Sequence, residues 1–173
     1  MLIYKDFPMP PSVNSAYTGK ERRVKSYSYS LYESTLEYWC LANQRTIKKV
    51  RSHYSRCKMP IAIVLVFKFD TNKILNKSTK AKSAIKELDT SNRVKLIEDA
   101  ISSLIDIDDS YFFDLLPMKR TGKNTVDVYA LDLTQDIDKQ IIEIRERYAR
   151  SLLDIIDYIK EWNEKSQAIT QKS

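Results

Sequence analysis

LDTSNRVKLIEDAISSLIDIDD, residues 88–109, reads as a helix between two acidic ends. Val94, Ile97, Ala100, Ile101, Leu104 and Ile105 recur at three- and four-residue steps, which aligns one apolar stripe on a 3.6-residue helix and turns it to a core. Asn92, Lys95 and Asp99 keep the same spacing on another side, so an amide, an amine and a carboxylate project together. Asp89 stands at the helix mouth, with Thr90 or Ser91 as the natural N-cap, where unpaired amides favour a nearby carboxylate. Asp108 and Asp109 follow the helix. Adjacent like charges are unfavourable unless a cation or basic groups lie near. A capped core helix accounts for the stripe but not for the paired acids.

Upstream, PIAIVLVFKF from Pro60 to Phe69 is nearly continuous and β-branched, the pattern of a central strand. Between it and the helix, residues 70–87 are polar and carry Lys73, Lys77, Lys80, Lys82 and Lys86 without periodicity, which predicts a flexible lysine-rich loop beside the acidic site. Downstream, SYFFDLLPMK and NTVDVYALDL are strand-like, and Thr121 and Gly122 between them predict a hairpin turn crowded by Lys119, Arg120 and Lys123. Nearer the start, Leu2 to Lys5 suits a short strand and PMPPSVNSAY a rigid entry loop. A helix is expected from Ser30 to about Val50.

The last segment, from about Gln135 to Glu164, carries Ile137, Ile141, Ile144, Tyr148, Leu152, Ile155, Ile159 and Trp162 as a nearly heptad stripe. It predicts one long amphipathic helix that outlasts a small sheet, used in part as a dimer interface. The fold class is therefore α/β, in the mixed α+β sense: a small mixed sheet packed by helices, with a long C-terminal amphipathic helix. At 173 residues this is one domain, residues 1–133, plus an appendage, residues 134–173.

Composition narrows the chemistry. Two cysteines, Cys40 and Cys57, and the single His53 exclude a disulfide framework and disfavour a zinc site or a histidine triad. No apolar run is long enough to span a bilayer, and the first residues lack a signal-peptide pattern, so a reducing cytoplasm is expected. Residues 1–88 hold 17 Lys and Arg against 6 Asp and Glu, a balance of +11, while residues 89–173 hold 12 against 17, a balance of −5. No acid falls between Glu37 and Asp70, where Arg45, Lys48, Lys49, Arg51, Arg56, Lys58 and Lys68 lie. Such a half suits a polyanion, and Lys20, Arg22, Arg23 and Lys25 add four cations able to flank a phosphate backbone.

PPSVNSAY at 10–17, DTSNRVK at 89–95 and IDIDDS at 105–110 together resemble, in order and spacing, the RusA family of Holliday junction resolvases. The resemblance spans roughly residues 3–133. It implies a bacterial or phage-encoded, homodimeric, magnesium-dependent endonuclease, with Mn²⁺ as an alternative ion, that binds four-way DNA junctions in recombination and repair. Carried over, Asp89 and Asp109 are metal ligands and catalytic, and Lys95 is catalytic. Ser91 and Asp108 are counted with them as metal residues, and Asn14 and Asn92 support the site. DNA contacts are expected from Lys20, Arg22, Arg23, Lys25, Lys77, Lys80, Lys82, Lys86, Lys119 and Arg120. The chain departs from the family pattern at Ser91, where an aspartate is usual. A binding module without turnover and a scaffold protein built around the terminal helix are the competing readings.

Overall fold

The computed structural model describes residues 2–18, 24–55, 60–78, 81, 83–86 and 90–170. In chain order these form β1 (Leu2–Pro8), α1 (Val13–Ala16), β2 (Tyr17–Thr18), β3 (Val24–Lys25), α2 (Tyr27–Ala42) and α3 (Gln44–Tyr54). Then come β4 (Ile61–Phe69), α4 (Thr71–Ile74), α5 (Ser91–Ile105), β5 (Phe112–Thr121), β6 (Thr125–Asp132), α6 (Ile137–Arg147) and α7 (Ala149–Thr170). The main sheet has the order β1-β6-β4-β5, and β2 pairs with β3 apart from it. The mixed sheet with helices on both faces is the expected fold class.

Strand β4 is central because its side chains can be buried on both faces. Ile61, Ile63, Leu65, Phe67 and Phe69 join Ile97, Ile101 and Ile105 of α5 and Ile47, Val50 and Tyr54 of α3 in one core layer. Ala62, Val64 and Val66 face the other way, against Tyr129, Leu131 and Ile144 of α6. Each fully buried Leu or Ile contributes about 1.5–3 kcal/mol, so the α5 stripe alone anchors that helix firmly. β4 and β5 run parallel, and α5 is the crossover that parallel neighbours require. The helix carrying the candidate chemistry is thus bolted across the sheet by its apolar side, leaving the other side free.

Several expectations are corrected. β5 and β6 do not form a hairpin: β4 lies between them, parallel to β5 and antiparallel to β6. Residues 122–124 carry the chain past the end of β4, across two strand spacings of about 4.8 Å each. Thr-Gly between two strand patterns signals a turn but does not say which strands pair. The Gly122 N–H donates to the Phe69 carbonyl at 2.8 Å. Gly122 has φ +156, and an added Cβ would stand 3.2 Å from the Cβ of Lys68. Gly122→Ala is therefore expected to lose about 1–3 kcal/mol, read as a lower urea midpoint with an unchanged slope.

The helix foreseen from Ser30 to Val50 is two helices divided at Asn43, whose amide donates to the Trp39 carbonyl at 2.8 Å. The C-terminal helix likewise divides at Tyr148. Ile137, Ile141, Ile144 and Tyr148 pack on the sheet. α7 then lies along β5, with Thr121 Oγ1 donating to the Ser151 carbonyl at 3.3 Å. It reaches the lysine-rich segment, where Tyr158 Oη donates to the Asn76 carbonyl at 2.6 Å. Of the eight stripe residues only Leu152 is exposed, so most of the stripe serves its own domain, while Ile142, Leu153 and Ile156 beside it are exposed as well.

The lysine-rich stretch is also less open than expected. Ile74, Leu75 and Ala84 are buried, and Leu75 bridges Ile85 in antiparallel fashion. Asn76 N–H donates to the Ala84 carbonyl at 2.9 Å, and Lys86 Nζ to the Asn72 carbonyl at 2.6 Å. Three apolar side chains among the polar ones suffice to pin these described residues to the body, a signal that an averaged polar composition conceals.

Lys68, counted above among cations for a polyanion, is instead held inside. Its ammonium donates to Asp6 Oδ1 at 2.5 Å and Asp127 Oδ1 at 2.7 Å, with the side chain 12% exposed. Asp6 reaches it from an irregularity in β1, at φ 51. Its backbone N–H donates to Asp127 Oδ1 at 2.8 Å. Tyr148 Oη donates to the other Asp127 oxygen and lies 2.9 Å from Tyr129 Oη. The helix break at Tyr148 and the buried carboxylate thus belong to one network.

Candidate active site

The acidic tail of α5 separates into three aspartates with three roles. Asp106 ends the helix in the left-handed conformation, φ 60. That turn is closed by Ile107 N–H donating to the Ser102 carbonyl at 3.2 Å and by Ser102 Oγ donating to the Ile107 carbonyl at 2.6 Å. Arg51 of α3 donates to the Leu104 and Ser103 carbonyls at 2.9 and 3.2 Å, satisfying the end of the helix. Asp108 caps a short 3-10 turn, Asp109–Tyr111, by accepting from Ser110 N–H at 2.9 Å. The hydrogen bonding from Ser110 holds its carboxyl below the usual range. That leaves Asp109, which the turn swings back along α5.

There Asp109 meets Lys95. Lys95 Nζ donates to Asp109 Oδ2 at 2.9 Å and lies 3.0 Å from Asp99 Oδ1 and 3.8 Å from Glu98 Oε2. The lysine side chain is 57% exposed and that of Asp109 44%. Its hydrogen bonds to Asp109 and then Asp99 push its pKa above the ordinary 10.5, so the ammonium persists throughout neutral pH. The structure therefore brings together Lys95 and Asp109, and adds Asp99 from the same helix face. Glu98 was missed, although its place three residues beyond Lys95 was a signal.

Asp89 lies outside the described residues. Thr90 is the N-cap and is buried, but its side chain makes no capping bond. Ser91, exposed, opens α5, and Asn92 follows it half-buried. Asn14 is exposed on α1, which packs beside α5. Arg93 ties the two segments together by donating to the Pro10 carbonyl. PPSVN and DTSNRVK are thus spatial neighbours, as their pairing in the sequence implied.

The basic residues divide. Lys20, Arg22, Arg23, Lys80 and Lys82 lie outside the described residues. Lys77 and Lys119 are exposed. Lys25 pairs with Glu33 at 2.6 Å and sits over the Tyr29 ring at 5.3 Å. Lys86 is engaged by Asn72, as described above. Arg120 departs from expectation: it is 8% exposed, and its guanidinium donates to the Lys119 carbonyl at 2.7 Å. On β5 the side chains alternate, and position 120 falls on the covered side while position 119 falls on the open one. Arg51, at an exposed position, is likewise engaged by the α5 carbonyls, and Lys68 is held inside the molecule.

Among the described residues no group of three His, Cys, Asp or Glu side chains is arranged to hold a metal ion. Among them, too, no helix is long and apolar enough to cross a membrane.

An exposed lysine held between carboxylates stands at the crossover of an α/β domain with a basic first half, and comparison with family models gives the class. Residues 8–129, from the end of β1 into β6, match the model of the endodeoxyribonuclease RusA. The chain belongs to the RusA endodeoxyribonuclease family. α6 and α7 fall outside the match. No curated protein matches the chain.

Proposed function

We propose that the chain is a divalent-metal-dependent endonuclease that nicks four-way DNA junctions as a homodimer, in recombination and repair. The observation that carries this reading is the Lys95–Asp109 contact at 2.9 Å, formed in the open between two segments that the family match includes. A structural ion pair would add little at such exposure.

The donor chemistry fits a hard cation. Asp109 offers carboxylate oxygens at the surface, beside a Lys95 ammonium that also lies against Asp99 and Glu98. Asp89 and Asp109 would hold Mg²⁺ or Mn²⁺, with Ser91 beside them and Asp108 kept to its capping role. The bound ion supplies an activated water and offsets charge on the phosphorus. Lys95 would place its ammonium against the scissile phosphate or the leaving oxygen. Asn14 and Asn92 would hold the site or the neighbouring backbone. Lys25, Lys77 and Lys119 would track the DNA backbone, with Lys20, Arg22, Arg23, Lys80, Lys82 and Lys86. The exposed Ile142, Leu152, Leu153 and Ile156 suit a dimer contact.

A labelled four-way junction, incubated with and without Mg²⁺, tests the reading. Paired nicks that need the ion support it, and an intact junction in both conditions refutes it. Ser91, in place of the usual aspartate, favours a second reading in which the chain binds junctions without turnover. The two separate with Ser91→Asp. On the endonuclease reading it lowers the Mg²⁺ needed for half-maximal nicking, because it restores a carboxylate to the cage. On the second, nicking appears only in the variant.

A further inference from the structure

A cleft of ≈ 820 Å³ opens between the proline segment Pro8–Pro11, α2 and the first turn of α5. That is the size of a small-molecule site. Its lining combines the rings of Tyr32, Tyr38 and Trp39 with Lys73, Arg93 and the Asn124 amide. Asp6 also lines it, but Asp6 Oδ1 already accepts from Lys68 at 2.5 Å and Thr125 at 3.1 Å. What the cleft offers is therefore aromatic surface, cations and an amide with both donor and acceptor.

One detail points to an occupant: Tyr38 is 75% exposed, a large aromatic face held out from α2 beside the rings of Tyr32 and Trp39. The cleft also shares two segments with the candidate active site. Pro10 and Pro11 run into α1, which carries Asn14, and Arg93 stands between Asn92 and Lys95.

We propose that this cleft receives one unstacked nucleobase of the DNA strand being cut, a proposal that rests on the endonuclease reading. Aromatic rings stack on any base face, the exposed Asn124 amide meets its polar edge, and the exposed Lys73 suits a flanking phosphate. Branched DNA supplies such bases, because a strand that changes direction leaves a base without one stacking neighbour. Seating that base against the start of α5, the helix that also carries Asn92 and Lys95, would bear on which phosphate reaches the lysine. The cleft is thus a positioning and specificity element.

The test uses the full-length protein and four-way junctions in which one abasic nucleotide is stepped through the crossover strands. One position is expected at which loss of the base weakens binding about tenfold. Tyr38→Ala is expected to weaken the intact junction similarly and to erase that position dependence, because one contact cannot be lost twice. Asn124→Ala removes only the exposed amide, so it is expected to change the ranking of junctions bearing each of the four bases there, without a change in melting temperature. Equal binding to every abasic junction, or full position dependence in Tyr38→Ala, overturns the proposal. Nicking by the parent alongside either result leaves the endonuclease reading intact. No junction binding at all by the parent ends both. Free deoxynucleoside monophosphates are expected to compete poorly, and competition at junction-like affinity would assign the cleft to mononucleotides instead.

Discussion

Lys95→Ala and Asp109→Asn should each lower junction nicking by at least about 10²–10³-fold while junction binding survives. The magnitude is what loss of one positioned charge or donor for a developing oxyanion removes. Binding survives because the phosphate contacts are spread over many cations, and losing one flattens the log-log salt slope by only about one unit. Stability should also survive. Lys95 and Asp109 are both substantially exposed, and exposed substitutions of this kind stay within about 0.5 kcal/mol. Asp99→Asn should do less harm than Asp109→Asn, because Asp99 touches Lys95 only as its neighbour one turn along α5. Single-turnover cleavage with saturating protein, run beside a binding isotherm, separates the effects. A Lys95→Ala protein that nicks at the parental rate would show that the ion pair is only structural.

Asp127→Ala should destabilise the fold by about 3–5 kcal/mol, the range for breaking a buried charge pair from one side. The side chain of Asp127 is 5% exposed and that of Lys68 12%. Removing the carboxylate strands the ammonium with Asp6 alone and deprives Tyr148 of its acceptor at the junction of α6 and α7. Lys68→Met with Asp127→Leu should recover much of the loss, since an apolar pair of similar volume needs no compensation.

The same network predicts the pH profile. Burial lowers the Lys68 pKa, but the hydrogen bonds its ammonium donates to Asp127 and Asp6 outweigh it and set it above the ordinary 10.5. Its contribution is complete at neutral pH and disappears as pH rises through that folded value. The Lys68 hydrogen bond holds Asp6 below 3.8, so its contribution is complete above that and disappears as pH falls through the lower folded value. Unfolding free energy from urea titrations should carry a flat contribution from this network between about pH 4 and 10 and fall at both ends. A loss below about 1 kcal/mol for Asp127→Ala would show that the network is incidental.

The periodicity of residues 88–109 and the unbroken apolar run of β4 were legible in the sequence, because helix and strand periods follow from local geometry and the side chains themselves. Lys95 and Asp109 were singled out through the resemblance, but their contact was not. Tertiary structure alone decided the rest. It placed β4 between β5 and β6, turned Arg120 inward and Lys119 outward, divided the last helix at Tyr148, and gave Asp106, Asp108 and Asp109 separate tasks. It also closed Asp6, Lys68 and Asp127 into one cluster across 121 positions of chain. A local window records which residues alternate, but not which distant strand supplies the neighbour. Whether a lysine meets solvent or a buried carboxylate depends on that neighbour, and the desolvation and pairing energies involved arise only once the sheet has assembled.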